Sequence, residues 1–227
     1  METVAIVGAG RMGSLIARKI SPHYNLILID SNMRRCGMLA KELGGIATTE
    51  YSFISEADFI IIALPASAIS PALEKARSFL KSGQILINIS TDKETDSLTS
   101  IRGLCEPVSA KIIGHALQID SGELPLVVID GKDEKIKNKV AEIFGRIGVV
   151  TFGPEKLVRQ INNIASEEGI RAALNIQKRL KELDIPDEYI SFAIRNVACG
   201  TMNAFALGDA GPFAQKIINE LKKEGGN

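Results

Sequence analysis

The first thirty residues constrain this chain more than any other stretch. Val4-Ala5-Ile6-Val7 runs into Gly8-Ala9-Gly10-Arg11-Met12-Gly13; a helix-forming segment follows, and a second apolar run, Leu26-Ile27-Leu28-Ile29, ends at Asp30. Strand, glycine turn, helix, strand and acidic residue, with the carboxylate 17 residues after Gly13, have the spacing of a dinucleotide-binding βαβ unit. Gly8 permits the tight turn, Gly10 lets the backbone approach a pyrophosphate, and Gly13 lets the helix pack close to the strand. The pyrophosphate is then expected along Gly8, Ala9, Gly10, Arg11, Met12 and Gly13, where free N–H groups and the helix dipole favour an anion.

Composition narrows the rest. The 227 residues suit one large domain or two modest ones. With 27 basic and 27 acidic side chains the formal net charge is zero, so neither nucleic acid nor an anionic membrane is an expected partner. Cys36, Cys105 and Cys199 share no metal-like spacing, so no metal is expected, and an odd count fits a reducing cytoplasm. The chain opens directly on a strand, so no targeting segment is expected ahead of the fold. The most apolar stretch, about residues 189–207, holds Arg195, Asn196 and Asn203, which fits a buried helix rather than a membrane span.

Beyond the opening unit, strands and helices alternate. Residues 58–64 and 84–89 are nearly all apolar, as parallel strands buried on both faces require. Helices are expected over 32–43, stopped by Gly44-Gly45, and over 67–80, with a weaker one over 94–101. Strands follow at 111–114, 124–129 and 148–152, with a polar loop between the first two and a helix over 133–145. This order predicts an α/β fold, a doubly wound Rossmann-type sheet of about eight strands, over residues 1–153. From Pro154 onward no strand pattern remains. Three helices are expected, from Pro154 to Leu183, from Pro186 to Leu207 and from Pro212 to Lys223. Residues 154–227 therefore read as an all-α C-terminal domain. Its middle helix is apolar almost all round and needs cover on several sides. A second copy of the chain is the economical cover, which predicts a homodimer through the C-terminal helices.

The layout resembles a superfamily of short NAD(P)-dependent reductases with an N-terminal Rossmann domain and an all-helical C-terminal dimerisation domain. It includes pyrroline-5-carboxylate reductases, β-hydroxyacid dehydrogenases, prephenate dehydrogenases and NADP reductases that use a deazaflavin cofactor. GAGRMG at residues 8–13 is similar to the pyrroline-5-carboxylate reductase fingerprint. Ile61-Ile62-Ala63-Leu64-Pro65 resembles the family's fourth strand, whose end lines the nicotinamide site. The chain also departs from each relative. The β-hydroxyacid dehydrogenases place a catalytic lysine four residues before the second asparagine of an Asn-Asn pair on the long helix. Here the pair is Asn162-Asn163 and position 159 is Arg, which cannot exchange a proton near neutral pH but can orient a carboxylate. Pyrroline-5-carboxylate reductases carry Pro-Asn-Thr-Pro after the sixth strand, where this chain has Gly114-His115-Ala116-Leu117. Gly114-His115 is a partial echo of the Gly-x-His-Pro of prephenate dehydrogenases.

The candidate site residues lie at strand ends and on one helix face. Asp30 is placed to hydrogen-bond the adenosine ribose and favour NAD, while Arg34, Arg35, Ser31 and Asn32 could accommodate a 2′-phosphate; the balance leans to NAD. Leu64, Pro65 and Ala66, and Ser90 with Thr91, follow strands at the edge where ligands collect. His115, at another strand's carboxyl end, is a candidate general acid. On the long helix, Leu157, Ile161, Ile164, Ala165 and Ala172 share one broad face, and Arg159, Asn162, Asn163 and Ser166 the opposite one. Two successive asparagines inside a helix suggest a polar environment holding them, and Arg159 and Asn163 are read as substrate contacts in an interdomain cleft. Arg195, inside the apolar middle helix, is expected either to pair with a carboxylate across the dimer, the favoured reading, or to face the active-site cleft and bind a substrate anion.

These readings converge on a cytoplasmic, dimeric oxidoreductase using NAD or NADP. Hydride would pass between nicotinamide and a C=O or C=N carbon of a small, anionic substrate. The alternatives are an NADP reductase acting on a deazaflavin, and a nucleotide-binding sensor or assembly protein without catalysis. Light scattering at micromolar concentration is expected to give twice the mass of one chain; a monomer there would remove the dimer from the account.

Overall fold

A computed structural model describes residues 1–101 and 103–224. Residues 225–227, read from the sequence as the end of a frayed terminus, lie outside the described residues. The chain divides into two compact units, Met1–Asn162 and Asn163–Asn227. The shift from alternating strands to helices comes at Gly153; the compact units part further on, inside the long helix.

Unit one is a single eight-stranded sheet in the order β3-β2-β1-β4-β5-β6-β7-β8. Its strands are β1 (Thr3–Val7), β2 (Asn25–Ile29), β3 (Ile46–Thr48), β4 (Phe59–Ile62), β5 (Ile85–Asn88), β6 (Glu106–Ile113), β7 (Leu126–Asp130) and β8 (Val149–Phe152). Among the described residues five α-helices intervene: α1 (Arg11–Ile20), α2 (Met33–Leu43), α3 (Ala66–Ala76), α4 (Ala116–Asp120) and α5 (Glu134–Phe144). The first six strands are mutually parallel. β7 runs antiparallel to β6, with Ser109 opposite Asp130 and Ile113 opposite Leu126, and β8 runs parallel to β7. The apolar strands bury both faces. Ile6, Leu28, Ile61 and Ile87 face a core shared with α1, α2 and α5, while Ala5, Val7, Ile60, Ile62 and Leu86 face a second core with α3.

Where expectation and structure differ, local chemistry explains the difference. β6 begins at Glu106 rather than Lys111. Pro107, its second residue, lacks an N–H for the ladder and masks the start of the strand. The weaker helix expected over 94–101 is instead two 3₁₀ turns, Thr95–Ser97 and Thr99–Ile101. Thr, Ser and Asp there compete for backbone hydrogen bonds and disfavour a continuous helix. The polar loop after β6 contains the short helix α4.

The opening turn needs its glycines. Gly8 takes φ +107°, and a Cβ on it would lie 2.4 Å from the Ala63 carbonyl oxygen. A Cβ on Gly13 would lie 1.9 Å from the Gly8 carbonyl oxygen, so α1 sits against the turn with no room for a side chain.

The long helix α6 (Glu155–Lys181) starts in unit one and runs on into unit two. Unit two continues with α7 (Asp187–Phe192), a π-helical stretch over Ala193–Ala198, α8 (Cys199–Leu207) and α9 (Pro212–Glu224). The middle helix of the sequence reading is thus interrupted by one wide turn. Its large side chains, including Val197, Met202, Phe205 and Leu207, are exposed in the single chain. Arg195 is exposed too, its guanidinium 4.8 Å from the Phe192 ring centroid. Among the described residues no helix is long and apolar enough to cross a membrane.

Gly13→Ala is expected to destabilise unit one by about 1–3 kcal/mol, the usual cost of overpacking a tight site. Urea denaturation of the nucleotide-free protein measures it, and an unchanged midpoint would mean that helix and turn are free to separate.

Candidate functional site

The glycine turn is held from beneath by a carboxylate. Asp30, at the end of β2, has a side chain only 6% exposed. Its Oδ2 accepts from the Ala9 amide at 2.6 Å and its Oδ1 from the Asn32 amide at 2.8 Å. Arg35 Nη2 reaches both oxygens at 2.9 Å. Burial pushes the Asp30 pKa up, but the two amides and Arg35 more than offset it and hold the group below its ordinary 3.8. The carboxylate is therefore sealed inside, and the charge offered to solvent here is the half-exposed Arg35 guanidinium. Ser31, Asn32 and Arg34 are exposed beside it. Arg34, Arg35, Asn32, Ser14 and Arg18 line a cavity of 380 Å³ between α1 and α2. Above the turn, a Cβ on Gly10 would meet nothing within 4 Å, and the first amides of α1 have no intrahelical acceptor. That is a cradle for an anion of pyrophosphate size. Ala9 is buried, Met12 half-buried and Arg11 exposed at its rim.

Other expected residues gather at the same edge of the sheet. Leu64 follows β4 and lies beside Gly8; a Cβ there would be 3.0 Å from Leu64 Cδ2. Pro65 is exposed and caps α3, its carbonyl accepting from Ala68. Ser90 follows β5 and is half-buried, its amide bonded to Asn88 Oδ1 at 3.1 Å. His115 follows β6, is exposed, and its carbonyl accepts the amides of Gln118 and Ile119 to start α4. The short helix packs against α1.

The first two turns of α6 dock on this edge through their polar face. Glu155, Arg159 and Asn162 project on one side, as residues spaced by four and three must. Asn162 Nδ2 donates to the Ile112 carbonyl at 3.0 Å. Arg159 Nε lies 3.9 Å from Asp92 in the turn after β5, both side chains being more than half exposed. Asn163 is exposed at the start of unit two. Of the three expected catalytic residues, His115 and Arg159 therefore stand near the carboxyl ends of β5 and β6. The polar environment that an Asn pair demands is, for Asn162, a backbone carbonyl.

One group at this edge had no signal in the sequence. Lys111 sits in the middle of β6 with its side chain 2% exposed. Its Nζ donates to the Ser90 carbonyl and, at 3.0 Å, to the Lys93 carbonyl, and lies 3.3 Å from Glu155 Oε2. Glu155 also accepts from the Thr95 amide at 2.8 Å and the Thr95 hydroxyl at 2.9 Å, while its own amide donates to Asp130. Burial lowers the Lys111 pKa to about 8 against the opposing pull of Glu155 and Glu94. Ser109 Oγ, buried next to this group, makes no hydrogen bond of ordinary geometry, though its hydroxyl helps stabilise the Glu155 carboxylate. Lys111 does not stand in for the lysine missing at 159, because its three N–H bonds are already engaged. The sequence places Lys111 at the first residue of a strand over 111–114, where a lysine reads as exposed, and the masked start of β6 hides its burial.

A cavity of 1030 Å³ opens beside this group, with Thr95, Ser109, Asp130 and Glu155 in its wall. It is lined by Ser82 and Gly83 before β5, Glu106 and Pro107 at the start of β6, and Lys132 and Lys135 beyond β7. It extends from the Glu155 group toward the amino ends of β5 and β6, away from the glycine turn. Among the described residues no group of three His, Cys, Asp or Glu side chains is arranged to hold a metal. Cys36 and Cys105 are buried thiols and Cys199 an exposed one.

Comparison with known proteins bears on the fold. Residues 3–92 match the family described as "NADP oxidoreductase coenzyme F420-dependent". The chain is 31% identical over 107 residues to a glyoxylate reductase of Pyrococcus furiosus, a stretch that covers 46% of this chain and 32% of that one. It spans less than half the length of the curated relatives it matches. Among solved structures, a pyrroline-5-carboxylate reductase from Coxiella burnetii superposes with TM-score 0.74 at 13% identity, covering 98% of this chain and 91% of the other. A reductive aminase from Aspergillus terreus, solved with NADPH and ethyl-5-oxohexanoate, superposes with TM-score 0.71 at 13% identity over 91% of this chain and 76% of its own.

The Asp30 geometry has a consequence for stability. A carboxyl group held below its ordinary value contributes stability that is complete above about pH 3.8 and lost as pH falls through the lower folded value. Asp30→Asn is expected to cost on the order of 1–3 kcal/mol at neutral pH, because Ala9, Asn32 and Arg35 lose a charged acceptor. The gap from the wild type should close as urea titrations are repeated below pH 4; a gap that stays constant would show that the charge contributes nothing.

Proposed function

We propose that this chain, which by its fold and by the family match of its first domain falls within the NAD(P)-dependent reductases that join a Rossmann domain to a helical one, is an NADP(H)-dependent oxidoreductase acting on the C=O or C=N carbon of a small, anionic substrate. One observation carries the choice of NADP over NAD. The Asp30 carboxylate, which would receive the ribose hydroxyls of NAD, is sealed behind Arg35. A nucleotide approaching β2 meets Arg35, Arg34 and Asn32, a rim suited to a 2′-phosphate.

Each residue then has a task. The turn from Gly8 to Gly13 holds the pyrophosphate against the start of α1. Ser31, Arg34 and Arg35 hold the ribose phosphate. Leu64, Pro65 and Ser90 bound the nicotinamide end. The bound cofactor supplies the hydride. Arg159 orients the substrate's carboxylate, Asn163 offers it a hydrogen bond, and His115 delivers a proton to the substrate oxygen or nitrogen as its carbon accepts the hydride. The exposed apolar residues of unit two support the homodimer expected from the sequence, since a surface of that kind on one chain implies a partner.

The family match over residues 3–92 favours a second reading, in which the hydride partner is a deazaflavin. No protein proton donor is then required. The two readings part at His115→Ala, which would abolish reduction of a keto acid or imine and leave deazaflavin reduction intact.

Nicotinamide fluorescence tests the cofactor, and the chain has no tryptophan to interfere. NADPH is expected to bind at least about tenfold more tightly than NADH, with Arg35→Ala removing most of that preference, since one charge-assisted contact of about 1.4 kcal/mol is a factor of ten. Equal affinity for the two would reverse the choice of NADP, and no binding of either would remove the oxidoreductase reading.

A further inference from the structure

The turn that follows β5 is fixed by one buried cation. Lys111 has three N–H bonds and three acceptors: the Ser90 carbonyl, the Lys93 carbonyl and Glu155 Oε2. Asn88, wholly buried at the end of β5, holds the same turn from the other side. Its Nδ2 donates to the Lys93 carbonyl at 2.7 Å and to Thr95 Oγ1 at 3.1 Å, and its Oδ1 accepts from the Ser90 amide. Glu155 then binds Thr95 through both oxygens, and it is the first residue of α6, the helix that carries Arg159.

A charged pair is a costly way to fill this place. Replacing a buried ion pair by apolar side chains of similar volume is often neutral or stabilising. On the face of the sheet that Lys111 shares, Ser109 in β6 and Asn88 at the end of β5 are buried polar neighbours, Val128 stands opposite in β7, and Val108, Ala110 and Ile112 turn to the other core. What an apolar residue here could not do is donate to two main-chain carbonyls. We propose that Lys111 and Glu155 form a positioning pair that fixes the Ser90–Thr91 turn against the nicotinamide half of the cofactor and registers Arg159 beside it. This rests on the nucleotide reading above. Neither residue touches the reacting atoms; both act through the turn and through the start of α6.

The pair sets the nicotinamide end of the site and leaves the adenosine end, held by α1 and α2, untouched. That asymmetry gives the test. Dissociation constants are measured for NADPH and for adenosine 2′,5′-bisphosphate, which keeps the phosphorylated adenosine and lacks nicotinamide. The proteins are the wild type, Lys111→Met and Lys111→Met/Glu155→Met. Lys111→Met strands a buried carboxylate and should lose thermal stability, which the double variant recovers. In the double variant, NADPH is expected to bind about tenfold more weakly and the bisphosphate within about twofold of the wild type. Glu155→Gln, which preserves shape, should give the same split in smaller measure and keeps the test open should the methionine variants misfold. Loss of both ligands together, or of neither, in a folded variant would assign the pair to fold stability alone and overturn the proposal. Failure of the wild type to bind NADPH would instead remove the nucleotide reading, and this inference with it.

Discussion

The shape of the glycine turn depends on where the Asp30 carboxylate points. It faces inward, beneath the glycine turn, and takes the Ala9 amide. That contact ties the end of β2 to the loop after β1, beside the backbone bond from the Gly8 amide to the Ile29 carbonyl at 2.8 Å. The same carboxylate starts α2 by accepting the Asn32 amide and collects Arg35 from that helix's first turn. A glycine loop with φ +107° at its first residue has few interactions of its own. Its shape comes from the steric wall of Ala63 on one side and from this charge on the other. The conformation that would cradle phosphates is thus set by the sheet before any phosphate arrives, which is the condition for electrostatic binding without reorganisation.

Most of the architecture was legible, because it is written in period and punctuation. Strands buried on both faces show as apolar runs, and β1, β2, β4 and β5 stand where those runs predict them. The glycine turn, the long helix and the change of texture at Gly153 are local signals too. What was not legible is pairwise. Nothing in the sequence says that Lys111 reaches Glu155, because the two are remote in sequence and each alone reads as a surface residue. Nor can an apolar run state its direction, so the reversal at β7 had no signature. Asp30 is the instructive middle case. Its presence at the strand end was visible, and its burial behind Arg35 was not, yet burial is what turns an expected preference for NAD into a proposed one for NADP.

The helices of unit two pose a different problem. Val197, Phe205, Leu207 and Phe213 present apolar surface in a single chain. Within the single chain Arg195 stacks on Phe192. The sequence shows how apolar these helices are, and in the single chain their large side chains stand exposed. It could not say that the stretch would widen into a π-helical turn at Ala193, since that depends on a register shift of the backbone hydrogen bonds and not on side-chain pattern.

The reversed strands have one further effect. Had β8 run with the first six strands, its end would have opened at the edge that carries the glycine turn and the next helix would have begun there. Because β7 and β8 run the other way, α6 begins lower, at Glu155 beside Asp130, and climbs toward that edge until Asn162 meets the end of β6. The helix therefore works as a ruler. From Glu155 to Asn162 it rises about 10 Å at 1.5 Å per residue, with one hydrogen-bonded or charged mark at each turn. An inserted or deleted residue in this span would rotate every later mark by about 100°. The spacing of these side chains is a measured length in the fold, and the connection before it, Gly153-Pro154, is the place where length can change without moving the marks.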